Sequence, residues 1–181
     1  MHPYQNIWLY YLDNSHALSI IAARATAKSF VIGTFACAKC VLYPGIRIVI
    51  ASATKGQARL IVKEKIQGIL MQRSPNLARE IEKVVDNQNS TEVIFKNGSR
   101  IVVVVANDNA RGNRANVLIL EEYRMIDKHI KDSVLMPFVE NYIPPFAMTH
   151  DEYSQFITNS FVIGISSSWR KSHWMWKEAL G

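Results

Sequence analysis

Four runs of the chain are apolar almost without interruption: ALSIIA (17–22), IRIVIASA (46–53), NVLILEE (116–122) and SFVIGISSS (160–168). A strand with one wet face alternates apolar and polar residues, whereas an unbroken apolar run of this length suits a strand covered on both faces. Strands of that kind belong to parallel sheets, whose crossover connections lay helices on each side. Segments 28–42, 55–72 and 169–180 supply helical stretches between and after the runs, the first rich in small residues that suit tight packing under a sheet. Together they predict an α/β fold with a mainly parallel central sheet flanked by helices. One segment breaks the rhythm. TEVIFKNGSRIVVVVA (91–106) is two strand-like runs joined across Lys96-Asn97-Gly98-Ser99, which predicts an antiparallel hairpin added to that sheet. The paired prolines 144 and 145 mark residues 142–153 as a loop.

A chain of 181 residues fits one domain with a sizeable core, and 49% hydrophobic with 20% charged residues is a globular composition. No apolar run approaches the roughly 18 residues of a membrane span. The N-terminal MHPYQNIWLYYLDNSH lacks the basic region, apolar block and cleavage site of a secretory signal, so the expected location is cytoplasmic, away from membranes. The net charge of +6 leans towards a polyanionic partner, but the basic residues are scattered and name none. Cys37 and Cys40 lie inside an apolar helical stretch with no second ligand pair at zinc spacing, so they read as core residues.

The chemistry concentrates at AARATAKSF (22–30). A phosphate-binding loop reads G-x-x-x-x-G-K-[ST]; here Lys28 and Ser29 are in place, while Ala22 and Ala27 fill the glycine positions. Such a loop must leave a buried strand and enter a helix, so that backbone N–H groups and the helix N-terminus face the phosphates. The chain from residue 17 onward has that order. In this reading residues 22–29 cradle a nucleotide, Lys28 neutralises β- and γ-phosphate oxygens, and the Ser29 hydroxyl ligates magnesium. On this stretch alone, a capped helix with a surface lysine fits equally well. VLILEE tips the balance, because Glu121 and Glu122 end a buried strand where ligands bind in open α/β folds. One acid is expected to help hold the metal (Glu121), the other to polarise the attacking water (Glu122). GISSSW offers Ser166, Ser167 and Ser168 either as a γ-phosphate sensor or as a helix cap. Gln5, some twenty residues upstream, stands where several nucleotide-driven motors read the adenine edge.

The succession of Gln5, AARATAKS, VIASATKGQA, NDNARGNRANVLILEEYRMID and VIGISSSW resembles the ATPase domain of the large terminase subunit of tailed phages. The match runs over almost the whole chain. Its most specific part is Arg-Gly-x-Arg-Ala-x followed by a Walker B strand and its acid pair. The resemblance implies a P-loop NTPase of the RecA/ASCE type that couples ATP hydrolysis, with Mg2+, to movement of double-stranded DNA into a capsid. It also implies a homo-oligomeric ring on a portal protein, a small terminase subunit as partner, and a coupling role for Ser166 to Ser168. Terminases often replace the first glycine of the loop and carry an arginine four residues before the lysine. Arg24 holds that place and is implied as an arginine finger acting within the chain. The nucleotide-binding set so implied is Gln5, Ala22, Ala23, Arg24, Ala25, Thr26, Ala27, Lys28 and Ser29.

Two residues depart from the family pattern. Ala27 stands where glycine is usual, and Glu121 where aspartate is usual. A Cβ at residue 27 costs on the order of 1 kcal/mol or more if the backbone needs a glycine conformation, and little if it is helical. The favoured expectation is a loop adapted to alanine, with Ala27→Gly leaving ATP affinity flat. Residues 1–181 are expected to form a single ATPase domain, a fragment or split product without the C-terminal nuclease domain of complete subunits. The alternatives are a helicase-like ATPase and a non-hydrolysing nucleotide- or DNA-binding module with a degenerate loop.

Overall fold

The computed structural model describes residues 1–87, 90–148, 157–167 and 173–179. It contains α1 (Pro3–Asn14), β1 (Ala17–Ile21), α2 (Lys28–Leu42), β2 (Arg47–Ser52) and α3 (Lys55–Leu60), which continues as a π-helix over Ile61–Met71. Then come α4 (Pro75–Glu80), β3 (Ile81–Asp86), β4 (Ser90–Phe95), β5 (Arg100–Val105), β6 (Val117–Glu121), α5 (Lys128–Ile130), β7 (Phe161–Ser166) and α6 (Trp174–Ala179). The strands form one sheet in the order β1-β7-β6-β2-β5-β4-β3. The pairs from β1 through β7, β6 and β2 to β5 are parallel, and β5-β4 and β4-β3 are antiparallel.

All four apolar runs are parallel strands; β2, β6 and β7 are covered on both faces, whereas β1 lies at the edge of the sheet with Ala17 and Ser19 exposed. Along β2, Ile48 and Ile50 point into a core shared with Val31, Ile32 and Phe35 of α2 and Ile61 and Ile66 of the π-helix. Val49 and Ala51 point the other way, against Leu118, Leu120, Val134, Leu135 and Met175 of α6. Every one of these side chains is at most 4% exposed, so each contributes on the order of 1.5–3 kcal/mol of burial for the larger residues. Cys37 and Cys40 lie in the first core, and burial pushes the Cys37 thiol up to about 12, which keeps it unreactive.

The hairpin forms as expected, with a three-residue turn. Gly98 N–H donates to the Phe95 carbonyl at 3.0 Å, and Gly98 alone of the turn takes a positive φ, +83°. Its tip is tied to the end of α2: Asn97 Nδ2 and Ser99 Oγ both donate to the Cys40 carbonyl, at 2.8 and 2.7 Å. The expected helix over 55–72 is α-helical only to Leu60, and the rest is wound as a π-helix. Of the helix expected over 169–180, the described part is Trp174–Ala179.

Candidate active site

Parallel pairing sets what meets at the C-terminal edge of the sheet. Ile21 pairs with Ser166, and Glu121 pairs with both Ile165 and Ser52. The loop after β1, the acids after β6 and the serines after β7 are therefore neighbours by register. Three distances show how closely they meet. Ser29 Oγ donates to Glu121 Oε1 at 2.5 Å, Ser167 Oγ donates to Glu122 Oε1 at 2.7 Å, and Lys28 Nζ lies 3.4 Å from Ser167 Oγ.

Residues 22–27 wrap round the Lys28 ammonium. Lys28 is 7% exposed, and its Nζ donates to the carbonyls of Ala23 at 2.8 Å and Ala22 at 3.3 Å. Thr26 Oγ1 ties the loop to the Ala23 carbonyl at 2.9 Å. Ala27 is the N-cap of α2 and offers no side-chain cap; Phe30 N–H donates to its carbonyl at 3.1 Å, which leaves the N–H groups of Lys28 and Ser29 at the start of the helix towards the loop. The backbone corrects the expectation of a loop at ease with alanine. Ala27 sits at φ 57°, ψ 35°, and Ala25 at φ +63°, both in the left-handed region. There the Cβ crowds the following carbonyl, at roughly 1–2 kcal/mol per residue. Ala22, which fills the first glycine position of the motif, is not among the positive-φ residues; Ala25 is, at a position where the motif asks for no glycine.

The two acids live in opposite environments. Glu121 is 6% exposed, and among the described residues its Oε2 is buried without a hydrogen-bond partner. Burial raises its pKa, the Ser29 hydroxyl works against that, and the neighbouring Glu122 charge adds to the rise. Glu122 turns out of β6 at φ +49° and takes bonds on both oxygens. Ser167 N–H donates to Oε2 at 3.2 Å, Ser166 Oγ lies 3.4 Å from the same oxygen, and Arg124 Nε completes an ion pair at 2.9 Å. Burial pushes this carboxyl up, but the Ser167 hydroxyl, Arg124 and the Ser167 N–H outweigh it and hold the pKa below the usual range. Gly164 permits the turn: a Cβ there would come within 3.0 Å of the Tyr123 ring, which lies against β7 directly after Glu122.

A cleft of about 520 Å3 opens over these groups, lined by residues 24–30 with Gln57, Lys65, Ile69, Glu122, Arg124 and Ser167. Arg24, Lys28, Lys65 and Arg124 give it four cations against one lining carboxylate, the balance that a polyphosphate would need. Larger hollows lie elsewhere, one of about 640 Å3 beside Arg47 and Arg114, but this cleft is the one that joins residues 24–30 to Glu122. Arg24 is exposed at its rim. Gln5 stands apart: it is 4% exposed, its Oε1 accepts from the His2 N–H at 2.8 Å to cap α1, and it does not line the cleft. Helix α1 still touches the loop through Tyr4, whose hydroxyl lies 3.4 Å from the Thr26 carbonyl. Ser166 and Ser167 are buried, Ser167 lining the cleft, and Ser168 lies outside the described residues. Arg124, Lys65 and Gln57 were not singled out from the sequence. Arg124 alone carried a signal, two residues beyond the acid pair.

No protein-family model matches the chain, and no curated protein does. Solved structures do. The large terminase ATPase domain of Thermus phage P74-26 superposes with a TM-score of 0.65 at 17% identity, over 93% of this chain and 66% of that one. The HK97 bacteriophage large terminase gives 0.68 at 15% identity, over 99% of this chain and 36% of that one. The large terminase of a thermophilic bacteriophage in complex with ATP-gamma-S gives 0.67 at 13% identity, over 98% and 41%. The chain thus spans just under two thirds of the first of these structures and less than half of the other two. At these identities the likeness is one of fold, and the fold of the chain is that of the phage large terminase ATPase domains.

Proposed function

We propose that the chain is a magnesium-dependent ATPase domain whose hydrolysis drives double-stranded DNA, as in the packaging motor of a tailed phage. The observation that carries the reading is the contact of Ser29 with Glu121 beneath a loop that closes on Lys28. Two oxygens of different residues converge there, one carboxylate oxygen beside them lacks a partner among the described residues, and the cations lie just above. That donor set suits magnesium, which takes one or two protein oxygens and fills its shell with water and substrate phosphate. Ser29 and Glu121 would hold the ion, which supplies charge neutralisation between the β- and γ-phosphates.

The chain's own groups do the rest. Lys28 exchanges the carbonyls of Ala22 and Ala23 for phosphate oxygens, with the N–H groups at the start of α2 beside it. Arg24, at the rim, reaches the same phosphates. Glu122 orients the attacking water, and to do so it must give up bonds to Ser167 or Arg124 that now occupy both its oxygens. Ser167, within reach of both Lys28 and Glu122, ties the nucleotide to the strand behind it. A motor of this kind works as a homo-oligomeric ring on a portal protein, with a small terminase subunit, in the host cytoplasm. Among the described residues no helix is long and apolar enough to cross a membrane.

The test is ATP turnover by the purified chain, with and without magnesium and with and without duplex DNA. Turnover that requires magnesium and rises with duplex is the expected result. Nucleotide binding without turnover under any of these conditions would replace the motor reading by a non-hydrolysing module.

A further inference from the structure

The opposite end of the sheet carries a second concentration of positive charge. Strands β2 and β5 each begin with an arginine, and Arg47 and Arg100 are register partners on neighbouring parallel strands. Their Cα atoms are therefore about 5 Å apart, with both side chains on the same face. Both residues are exposed, and among the described residues neither guanidinium has a hydrogen-bond or ion-pair partner. Like charges directly opposite on adjacent strands repel, so the pair is a cost that nothing in the fold offsets.

Two more cations extend the patch. Arg114 lines the same hollow of about 640 Å3 as Arg47, and Lys96 sits exposed in the hairpin turn that leads into Arg100. The acids at this end are Glu140, paired to Arg114 at 2.9 Å, and Glu80, whose carbonyl accepts from the Lys96 N–H at 2.9 Å. Four cations face two acids, and the central two are uncompensated. The backbone beneath them is fixed: Arg47 N–H donates to Asn116 Oδ1 at 2.8 Å.

We infer that this edge is a contact surface for the phosphate backbone of a DNA duplex. Guanidinium groups present a planar fork that matches phosphate oxygens, and two forks one strand apart engage neighbouring phosphates without reading a base. The choice of a duplex over another polyanion rests on the motor reading above, whereas the charge arrangement stands without it.

The experiment is fluorescence anisotropy of a short labelled DNA duplex with the whole chain, free of nucleotide, over about 50 to 200 mM salt. Because no ATP is present, a chain that never hydrolyses ATP can still pass, which separates this inference from the previous one. The expected result is that Arg47→Gln with Arg100→Gln binds about tenfold or more weakly, with a salt slope shallower by about 2. Lys83→Gln, an exposed cation on the edge strand β3, should bind as wild type does. Should the double glutamine variant fold poorly, Arg47→Lys with Arg100→Lys keeps the charge and should keep the slope. Wild-type affinity and slope in the glutamine variant, equal loss in Lys83→Gln, or no duplex binding by the wild type overturns the inference. So does competition by poly-glutamate as effective as by duplex of equal charge.

Discussion

The hairpin turn at residues 96–98 and the loop at 22–27 both reverse the chain at an end of the sheet, and both use left-handed backbone. At the hairpin the residue is Gly98, at φ +83°, with nothing within 4 Å of where a Cβ would stand. Gly45 and Gly112 serve two other turns in the same way. At the cleft the left-handed residues are Ala25, Ala27 and Glu122, the only positive-φ residues other than glycine among those described. Structural turns in this molecule are relaxed, and strain gathers where the loop and the acids face the cleft. Strained backbone persists only where surrounding contacts over-determine it, and such places cluster at functional sites. Here the surroundings are visible: Lys28 holds the loop carbonyls, and Ser167 and Arg124 hold Glu122.

An inert cleft would leave the strained loop no different in kind from the relaxed turns. Lys28→Ala should cut ATP turnover by about a hundredfold or more, because it removes the charge that offsets the β- and γ-phosphates. Steady-state kinetics beside a thermal melt would check it. Unchanged turnover would leave the strain at Ala25 and Ala27 without a function. Next in size is Glu122→Gln, which should keep magnesium-dependent ATP binding and hydrolyse on the order of a hundredfold more slowly. Equal loss of binding and hydrolysis would remove the water-orienting role.

Gly98 and Ala27 invite a pair of reciprocal substitutions. Gly98→Ala should destabilise the fold by about 1–2 kcal/mol and leave nucleotide binding alone, since the added methyl meets no neighbour and only the backbone objects. Ala27→Gly should do the reverse, stabilising the loop and tightening ATP binding up to about tenfold, for roughly 1 kcal/mol of relieved strain. Urea melts and ATP titrations of both variants give four numbers, and the same sign in both melts would refute the contrast.

The smallest effect is one of pH. Folded Glu121 has a raised pKa, so the folded state holds its proton more tightly than the unfolded chain does. Its contribution is therefore fully favourable below the unfolded pKa of about 4.3 and is lost as pH rises through the folded value. Glu121→Gln mimics the protonated acid at every pH. The variant should match wild type near the acid end and melt higher at neutral pH, while losing any stabilisation that magnesium gives. A variant that melts lower than wild type at neutral pH would show that the buried carboxylate is already compensated.

Much of this was legible in the residues. Strands β2, β6 and β7 showed because burial on both faces leaves no polar alternation, β1 showed by its apolar run although it lies at an edge, and Lys28, Ser29, Glu121 and Glu122 showed because strand ends place them at one edge. Strand β3 was hidden, since Ile81–Asp86 carries Glu82 and Lys83 along an edge with a bulge and has no continuous apolar run. Helix α1 was hidden as well, because residues 7–12 are apolar without a break, so Ile7, Tyr10 and Tyr11 are exposed and the run has apolar residues on every side of the helix. The left-handed state of Ala27 runs against its residue type, so only the tertiary clamp on Lys28 could disclose it. Arg124 matters through an ion pair with a side chain two residues away, a contact that depends on the turn geometry after β6.

Helix α2 has Lys28 and Ser29 at one end and, at the other, a carbonyl held by the hairpin that leads into Arg100. Fifteen residues make a stiff rod about 22 Å long. Tilted by ~3° about its Lys28 end, such a rod carries its far end through ~1 Å, comparable to the slack of a hydrogen bond. Asn97 and Ser99 must then follow or let go. One rigid element thus joins the loop at 22–27 to the hairpin tip, so a displacement of either end would be felt at the other.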